Sequence, residues 1–337
     1  MTLGTPLPLV AAPMAGGPTT TGLAAAVAQA GAFPFLAAGY KSPSALSAEI
    51  EEVRSLGKPF GVNLFVPGPQ TVDTAAFKAY AERIQPEADQ YGLHLDPSPV
   101  VDDDDWAAKV ALLVQHPVPV VSLTFGLPAA EDITALQQAG SQVFASVTTV
   151  AEAVAADALG VDGLVVQGSD AGGHSATHDP ARVVETASTT DVVRQVCANV
   201  GLPVIAAGGV DGPGSVRRLL DAGASAVAVG TLLLRTDEAG TSPLHRAALA
   251  DPAFAETVTT RAFTGRPARA LRNGFTDRHS QAAPVAYPAV HHLTRSLRQA
   301  AARAGDSDRL HLWAGTGFRS APTGSAAQVI RHLAEKA

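Results

Sequence analysis

The chain has 337 residues, 46% hydrophobic and 16% charged, which suits one large buried core or two domains and excludes a disordered chain. A net charge of −7 with no cluster of Lys and Arg excludes nucleic acid as the main partner, and Cys197, the only cysteine, excludes a disulfide framework and a thiolate metal site. No apolar run approaches the ~20 residues of a membrane span, and the N-terminus lacks a basic-then-apolar signal pattern, so a cytoplasmic location is expected.

Short apolar runs alternate with helical patterns along the chain. The first run, residues 7–14, ends at Gly16-Gly17-Pro18, and Thr19, Thr20 and Thr21 offer N-caps for a helix through Ala30. The second, 33–38, leads through Gly39 to a helix near 43–56; the third, 60–66, is closed by Pro67-Gly68-Pro69. A longer helical region follows and takes in Asp102 to Asp105 before Trp106, acids that suit a helix N-terminus. The remaining runs are 118–125, 143–148, 163–167, 204–207 and 226–229, with helices near 131–139, 150–159, 191–200 and 214–221. Eight β-branched-rich runs separated by helices predict a parallel sheet. Eight such units in about 230 residues fit an α/β chain closed into a (β/α)₈ TIM barrel, usually ~250 residues. An open doubly wound sheet is the alternative, weakened by the lack of G-x-G-x-x-G after the first strand.

Residues 236–290 break this rhythm with Pro243, Pro252, Pro267, Pro284 and Pro288, and are expected to form a small helical subdomain inserted after the last strand. The tail holds a helix over 294–304, a Gly-rich stretch at 314–317 and a final helix over 326–336. The expected organisation is a barrel over 1–235, the insertion over 236–290, and a C-terminal segment over 291–337 packing back on the barrel.

Barrel chemistry belongs at the C-terminal ends of the strands. Gly208-Gly209 after the seventh run and Gly230-Thr231 after the eighth leave backbone N–H groups bare, as a mononucleotide phosphate requires. The same glycines also serve plain tight turns, but their recurrence with Gly172-Gly173 after the sixth run favours a cradle. Asn63 and Gln167 are amides at strand ends that can both donate and accept, suiting the pyrimidine edge of a flavin, or simply pairing within a loop. His174 follows two glycines and is expected on an open, uncrowded loop, where a neutral imidazole could take a proton from carbon α to a nitro or carbonyl group. A His174–His178 metal pair is disfavoured because Gly-Gly and Pro180 oppose a helix and no third ligand is evident, so no metal is expected. Asp102 to Asp105 lack the spacing and glycine of a calcium loop. His291-His292 reads as structural or surface.

At these residues the chain resembles the nitronate monooxygenases, also called 2-nitropropane dioxygenases, class I in particular. The matching stretches are Ala12-Pro13-Met14-Ala15-Gly16-Gly17, Phe35-Leu36-Ala37-Ala38-Gly39-Tyr40, Asn63-Leu64-Phe65, Ser122-Leu123-Thr124-Phe125-Gly126, and Gln167 through His174. Ala206-Ala207-Gly208-Gly209, Gly230-Thr231 and Leu312-Trp313-Ala314-Gly315-Thr316-Gly317 complete the likeness, which spans nearly the whole chain. The resemblance implies an FMN enzyme that oxidises alkyl nitronates, such as propionate 3-nitronate, with O₂ to a carbonyl compound and nitrite or nitrate, without NAD(P)H. It implies Met14, Asn63, Gln167, Gly172, Gly173, Gly208, Gly209, Gly230 and Thr231 as FMN contacts and His174 as the active-site histidine. Tyr40 and Tyr287 are candidate substrate contacts, and a monomer or homodimer is expected. Asp170 stands where the family pattern suggests Glu, and Ala228-Val229 where it suggests Gln-Met; both bear on substrate preference. Alternatives are an FMN-dependent enoyl-ACP reductase using NAD(P)H and a non-catalytic phosphometabolite-binding barrel.

Overall fold

Runs of β-branched and aromatic residues bounded by glycine or proline form strands buried on both faces, and the helices between them cover the outside. A computed structural model describes residues 3–68, 72–184 and 186–335; Pro69 of the expected turn and Lys336 of the expected last helix lie outside the described residues. In chain order the elements are β1 (Leu9–Ala11), α1 (Thr21–Gln29), β2 (Phe33–Ala37), α2 (Pro43–Arg54), β3 (Gly61–Phe65), α3 (Thr74–Asp89), α4 (Trp106–Gln115), β4 (Val120–Thr124) and α5 (Ala130–Gln138). Then come β5 (Gln142–Val147), α6 (Val150–Ala158), β6 (Gly163–Gln167), β7 (Gly173–His174), α7 (Thr189–Asn199), β8 (Val204–Ala207), α8 (Pro213–Asp221) and β9 (Ala226–Val229). The rest of the chain holds α9 (Pro243–Ala250), β10 (Thr257–Thr260), β11 (Ala268–Leu271), α10 (Gly274–His279), α11 (Ala289–Arg303) and α12 (Ala326–Ala334).

Strands β1 to β6, β8 and β9 close into an eight-stranded parallel barrel, with β1 completing the ring against β9 at Leu9 opposite Val227. The expected TIM barrel is therefore present. Its interior is filled by Val10, Phe33, Phe35, Val120, Phe144 and Ile205. Register explains two glycines here. Phe35 lies opposite Gly61 and Phe144 opposite Gly163, and a Cβ on either glycine would sit within 2.6 Å of the neighbouring ring. Local signals place the helices: Ser42 caps α2 by accepting the Ala45 N–H at 3.2 Å, Pro43 starts it, and Leu46, Ile50 and Val53 face inward at helical spacing.

Two expectations need correction. The long helical region between the third and fourth strands is two helices, α3 and α4. Gly92 at φ 66° turns the chain out of the helix, and Pro97 and Pro99 oppose a restart. Residues 236–290 are not purely helical either. They contain the antiparallel hairpin β10–β11, and β11 pairs with β7 to make a three-stranded sheet. This segment packs through Phe263 and Phe275 against Phe77, Tyr80 and Ile84 of α3 and Leu293 and Leu297 of α11. Among the described residues no helix is long and apolar enough to cross a membrane.

Glu87 on α3 ties this layer together. It accepts from Arg278 Nε at 2.6 Å and Arg309 Nε at 2.7 Å, and meets His279 Nε2 at 2.8 Å. Burial alone would raise its pKa, but the hydrogen bonds from Arg278 and His279 and the charges of Arg278 and Arg309 hold it down to about 2, from an ordinary 4.5. A carboxyl depressed in the folded state stabilises it above the unfolded pKa and loses that contribution as pH falls through the folded one. The stability gap between the parent protein and Glu87→Gln should therefore be full above pH 4.5 and close as pH falls toward 2, read as the difference in melting temperature across that window.

Candidate active site

The C-terminal ends of the barrel strands open into one cavity of about 830 Å³. Met14, Asn63, Gln167, Gly172, Gly173, His174, Gly208, Gly209, Gly230 and Thr231 all line it, as do Tyr40 and Tyr287. The residues expected to hold the flavin, the active-site histidine and the two candidate substrate contacts thus line one place, and His178 does not.

The loops after β6 and β8 touch backbone to backbone, and the tail at Ala314–Gly315 lies as close to the β6 loop. A Cβ on Gly172 would lie 2.4 Å from Gly315 N, and one on Gly208 would lie 2.8 Å from Ala171 N. These glycines are needed for loop packing as well as for an open cradle. The tail joins them: Gly315 N–H donates to Thr231 Oγ1 at 2.9 Å and Thr316 N–H to the Asp170 carbonyl at 3.0 Å. The backbone N–H groups of Gly209, Gly230 and Thr231 donate to no acceptor among the described residues. Orphan donors around a cavity fit the phosphate of a mononucleotide.

The polar amides hold the site's frame. Gln167 Nε2 donates to the His174 carbonyl at 3.1 Å and its Oε1 accepts the Ala176 N–H at 2.7 Å. Asn63 Nδ2 donates to Ser122 Oγ at 2.9 Å and Thr124 Oγ1 at 2.8 Å. The Met14 N–H is taken by Thr19 Oγ1 at 2.8 Å.

His174 is not on an open loop. It forms β7, opposite Ala268 of β11. Its ring is half-buried among Phe125, Tyr287 and Trp313, with centroids 5.3–5.6 Å away, and its Nε2 meets Thr264 Oγ1 at 2.9 Å. Burial, reinforced by the positive charges of Arg266 and Arg298, pushes its pKa down to about 3, so the imidazole is neutral near pH 7. His178 turns elsewhere, its Nε2 meeting the Ser146 carbonyl at 3.0 Å, and no group of three metal-ligating side chains forms among the described residues.

Several important residues escaped the sequence reading. Arg266 and Arg298 are both buried, and neither pairs with a carboxylate among the described residues. Arg266 lies 4.0 Å over the Phe125 ring and donates to the Ser175 and Thr177 carbonyls. Arg298 lines the cavity, donates to the His291 carbonyl at 2.9 Å, and meets His311 Nε2 at 3.1 Å. Burial lowers both guanidinium pKa values to about 10, still cationic near neutrality. His291 is no surface residue: it stacks on Tyr40 at 4.4 Å and lines the cavity. Asp104 does more than charge a helix end, since it accepts the Tyr40 N–H at 2.9 Å and pairs with the buried Lys109 at 2.8 Å. One signal was available: His291, Arg295 and Arg298 recur at i, i+4 and i+7 on α11 and share a face.

Residues 3–336 match the family model described as nitronate monooxygenase. The chain belongs to the nitronate monooxygenase family. A probable nitronate monooxygenase of Staphylococcus aureus (strain Newman) is 34% identical over 334 residues, covering 97% of this chain and 93% of the relative. The structure of nitroalkane oxidase from Streptomyces ansochromogenes is 45% identical, covers 99% of this chain and 96% of that one, and superposes with a TM-score of 0.94. FabK from Thermotoga maritima, 24% identical over 99% of this chain and 93% of its own with a TM-score of 0.75, shares the fold. This nitronate monooxygenase family member is accordingly an oxidoreductase acting on nitro compounds.

Within the family site, two glycines carry different loads. Gly172→Ala must force the β6 loop away from Gly315 and should cost about 1–3 kcal/mol. Gly230→Ala meets its nearest neighbour, Ala12 Cβ, at 3.5 Å and should leave stability nearly unchanged. Urea unfolding midpoints of the two variants check the contrast.

Proposed function

We propose that this chain is an FMN-dependent nitronate monooxygenase that oxidises alkyl nitronates, propionate 3-nitronate among them, with O₂ to a carbonyl compound and nitrite or nitrate. The observation that carries the reading is a neutral His174 sharing one aromatic-walled cavity with a buried Arg298 that has no carboxylate partner among the described residues. A buried guanidinium without a counter-charge is costly, and an anionic ligand offsets that cost. A nitronate is such an anion.

The unpaired amides of Gly209, Gly230 and Thr231 are the donors for the FMN phosphate, with Gly172 and Gly208 keeping the loops close enough to form the cradle and Gly173, at φ 77°, turning the chain into β7. Met14, Asn63 and Gln167 border the rest of the cofactor space. When bound, FMN supplies the electron transfer and the reaction with O₂. The protein's part is position and charge. His174 takes the α-proton from a neutral nitroalkane, because its depressed pKa keeps a lone pair on the ring across the physiological range. For a substrate that arrives as the nitronate, His174 orients it and Arg298 balances its charge. Phe65, Phe125, Tyr287 and Trp313 keep the reacting carbon among rings rather than water.

Oxygen uptake with a panel of nitronates, without NADPH, tests the function; anaerobic bleaching of the flavin by NADPH would instead mark a reductase. His174→Ala should lower turnover of neutral nitroalkanes by about 10²–10⁴-fold while preformed nitronates lose far less. A base with a pKa of about 3 stays unprotonated as pH falls, so nitroalkane turnover should show no acidic limb near the ordinary histidine value of 6.5, a point settled by kcat/KM against pH. Arg298→Met should raise KM for nitronate anions about tenfold or more, with a smaller effect on neutral nitroethane, in steady-state oxygen consumption.

A further inference from the structure

The buried Thr264 reaches the active-site ring from the loop between β10 and β11. Its hydroxyl has three neighbours: His174 Nε2 at 2.9 Å, the Arg266 carbonyl at 3.2 Å and the Arg266 N–H at 3.4 Å. A hydroxyl has one proton to give and two lone pairs to receive. The Arg266 carbonyl is buried and accepts from no other donor among the described residues. An unpaired buried carbonyl is unfavourable, so the Thr264 proton goes to it. The lone pairs of Thr264 then face the Arg266 N–H and His174, and His174 must present Nε2 as an N–H donor. In a neutral imidazole that leaves the lone pair on Nδ1. Nδ1 has no partner among the described residues and is not sealed from the cavity that His174 lines.

We propose that Thr264 is a positioning residue that fixes the tautomer of His174, holding the proton on Nε2 so that Nδ1 is the atom that removes the substrate's α-proton. The inference rests on the proposed role of His174 as a base. In the step, the α C–H bond of the nitroalkane breaks, an N–H bond forms at Nδ1, and the electron pair passes to the nitro group, giving the nitronate and an imidazolium. Thr264 still accepts from Nε2–H in that cation, so no neighbour has to turn as charge develops.

The test uses the FMN-loaded enzyme with Thr264→Val, which keeps the shape and removes the hydroxyl, and Thr264→Ser, which restores it. Nitrogen-15 NMR reads the ring directly, with the His174 signals assigned by their loss in His174→Gln. The parent enzyme should show a protonated Nε2 and a bare Nδ1, and Thr264→Val should lose that pattern toward a tautomer mixture. Thr264→Val should lower kcat for neutral nitroethane by about tenfold, change ethyl nitronate turnover less than about twofold, and be rescued by Thr264→Ser. A purely structural role would depress both substrates together. A protonated Nδ1 in the parent enzyme overturns the proposal, whether or not Thr264→Val folds, and so does an unaltered pattern in Thr264→Val. Unchanged nitroethane turnover in His174→Ala would instead remove the base assignment beneath it, while the NMR pattern would still judge the link between Thr264 and the ring.

Discussion

A two-residue β-pairing sets where the active-site imidazole stands. His174 lies opposite Ala268 and Gly173 opposite Arg269, so the β6 loop is registered against a hairpin from far along the chain. Gln167 grips the same short strand from the barrel side through the His174 carbonyl and the Ala176 N–H. The ring is therefore located by hydrogen bonds to its own stretch of main chain from two directions, hairpin backbone on one side and the Gln167 side chain on the other. Such a frame leaves little freedom for a group that must meet a reacting atom within a fraction of an ångström. Gly172 follows from it: a Cβ at that position would collide with Ala314 and Gly315.

Charge is arranged around that frame in an unusual balance. Arg266 and Arg298 are buried cations held by carbonyls, rings and imidazoles rather than by carboxylates. The histidines beside them respond by staying neutral; burial and Arg298 push His291 down to about 2. The apolar rings raise the strength of every electrostatic interaction inside the cavity. The pocket offers buried positive charge to a ligand beside His174, and Asp102 to Asp105 and Asp170 also line it.

The barrel was legible because its determinants are local. Each strand is a β-branched or aromatic run stopped by Gly or Pro, and the sequence boundaries for β6, β8 and β9 coincide with the observed ones. The glycines at strand ends, with His174, could be picked out for the same reason. The hairpin was not legible. Thr257–Thr260 is polar and Ala268–Leu271 carries a charge, so neither reads as a buried strand, and their pairing partner is only two residues long. Two preceding glycines suggest openness around His174, whereas its crowding comes from residues distant along the chain: Phe125, Tyr287, Trp313 and Thr264. Arg298 was missed because a basic residue on an amphipathic helix ordinarily marks a solvated face.

The strap from Trp313 to Thr316 has a consequence for how the enzyme comes into being. Trp313 bridges to Ala270, Gly315 bonds Thr231, and Thr316 bonds Asp170, so one four-residue stretch, more than eighty residues past β9, ties the hairpin, the β9 loop and the β6 loop to one another. During synthesis the barrel's last strand emerges well before this strap does. A nascent chain can thus complete its hydrophobic ring while the rim above it is still loose, and the pocket takes its final form only once the strap has emerged.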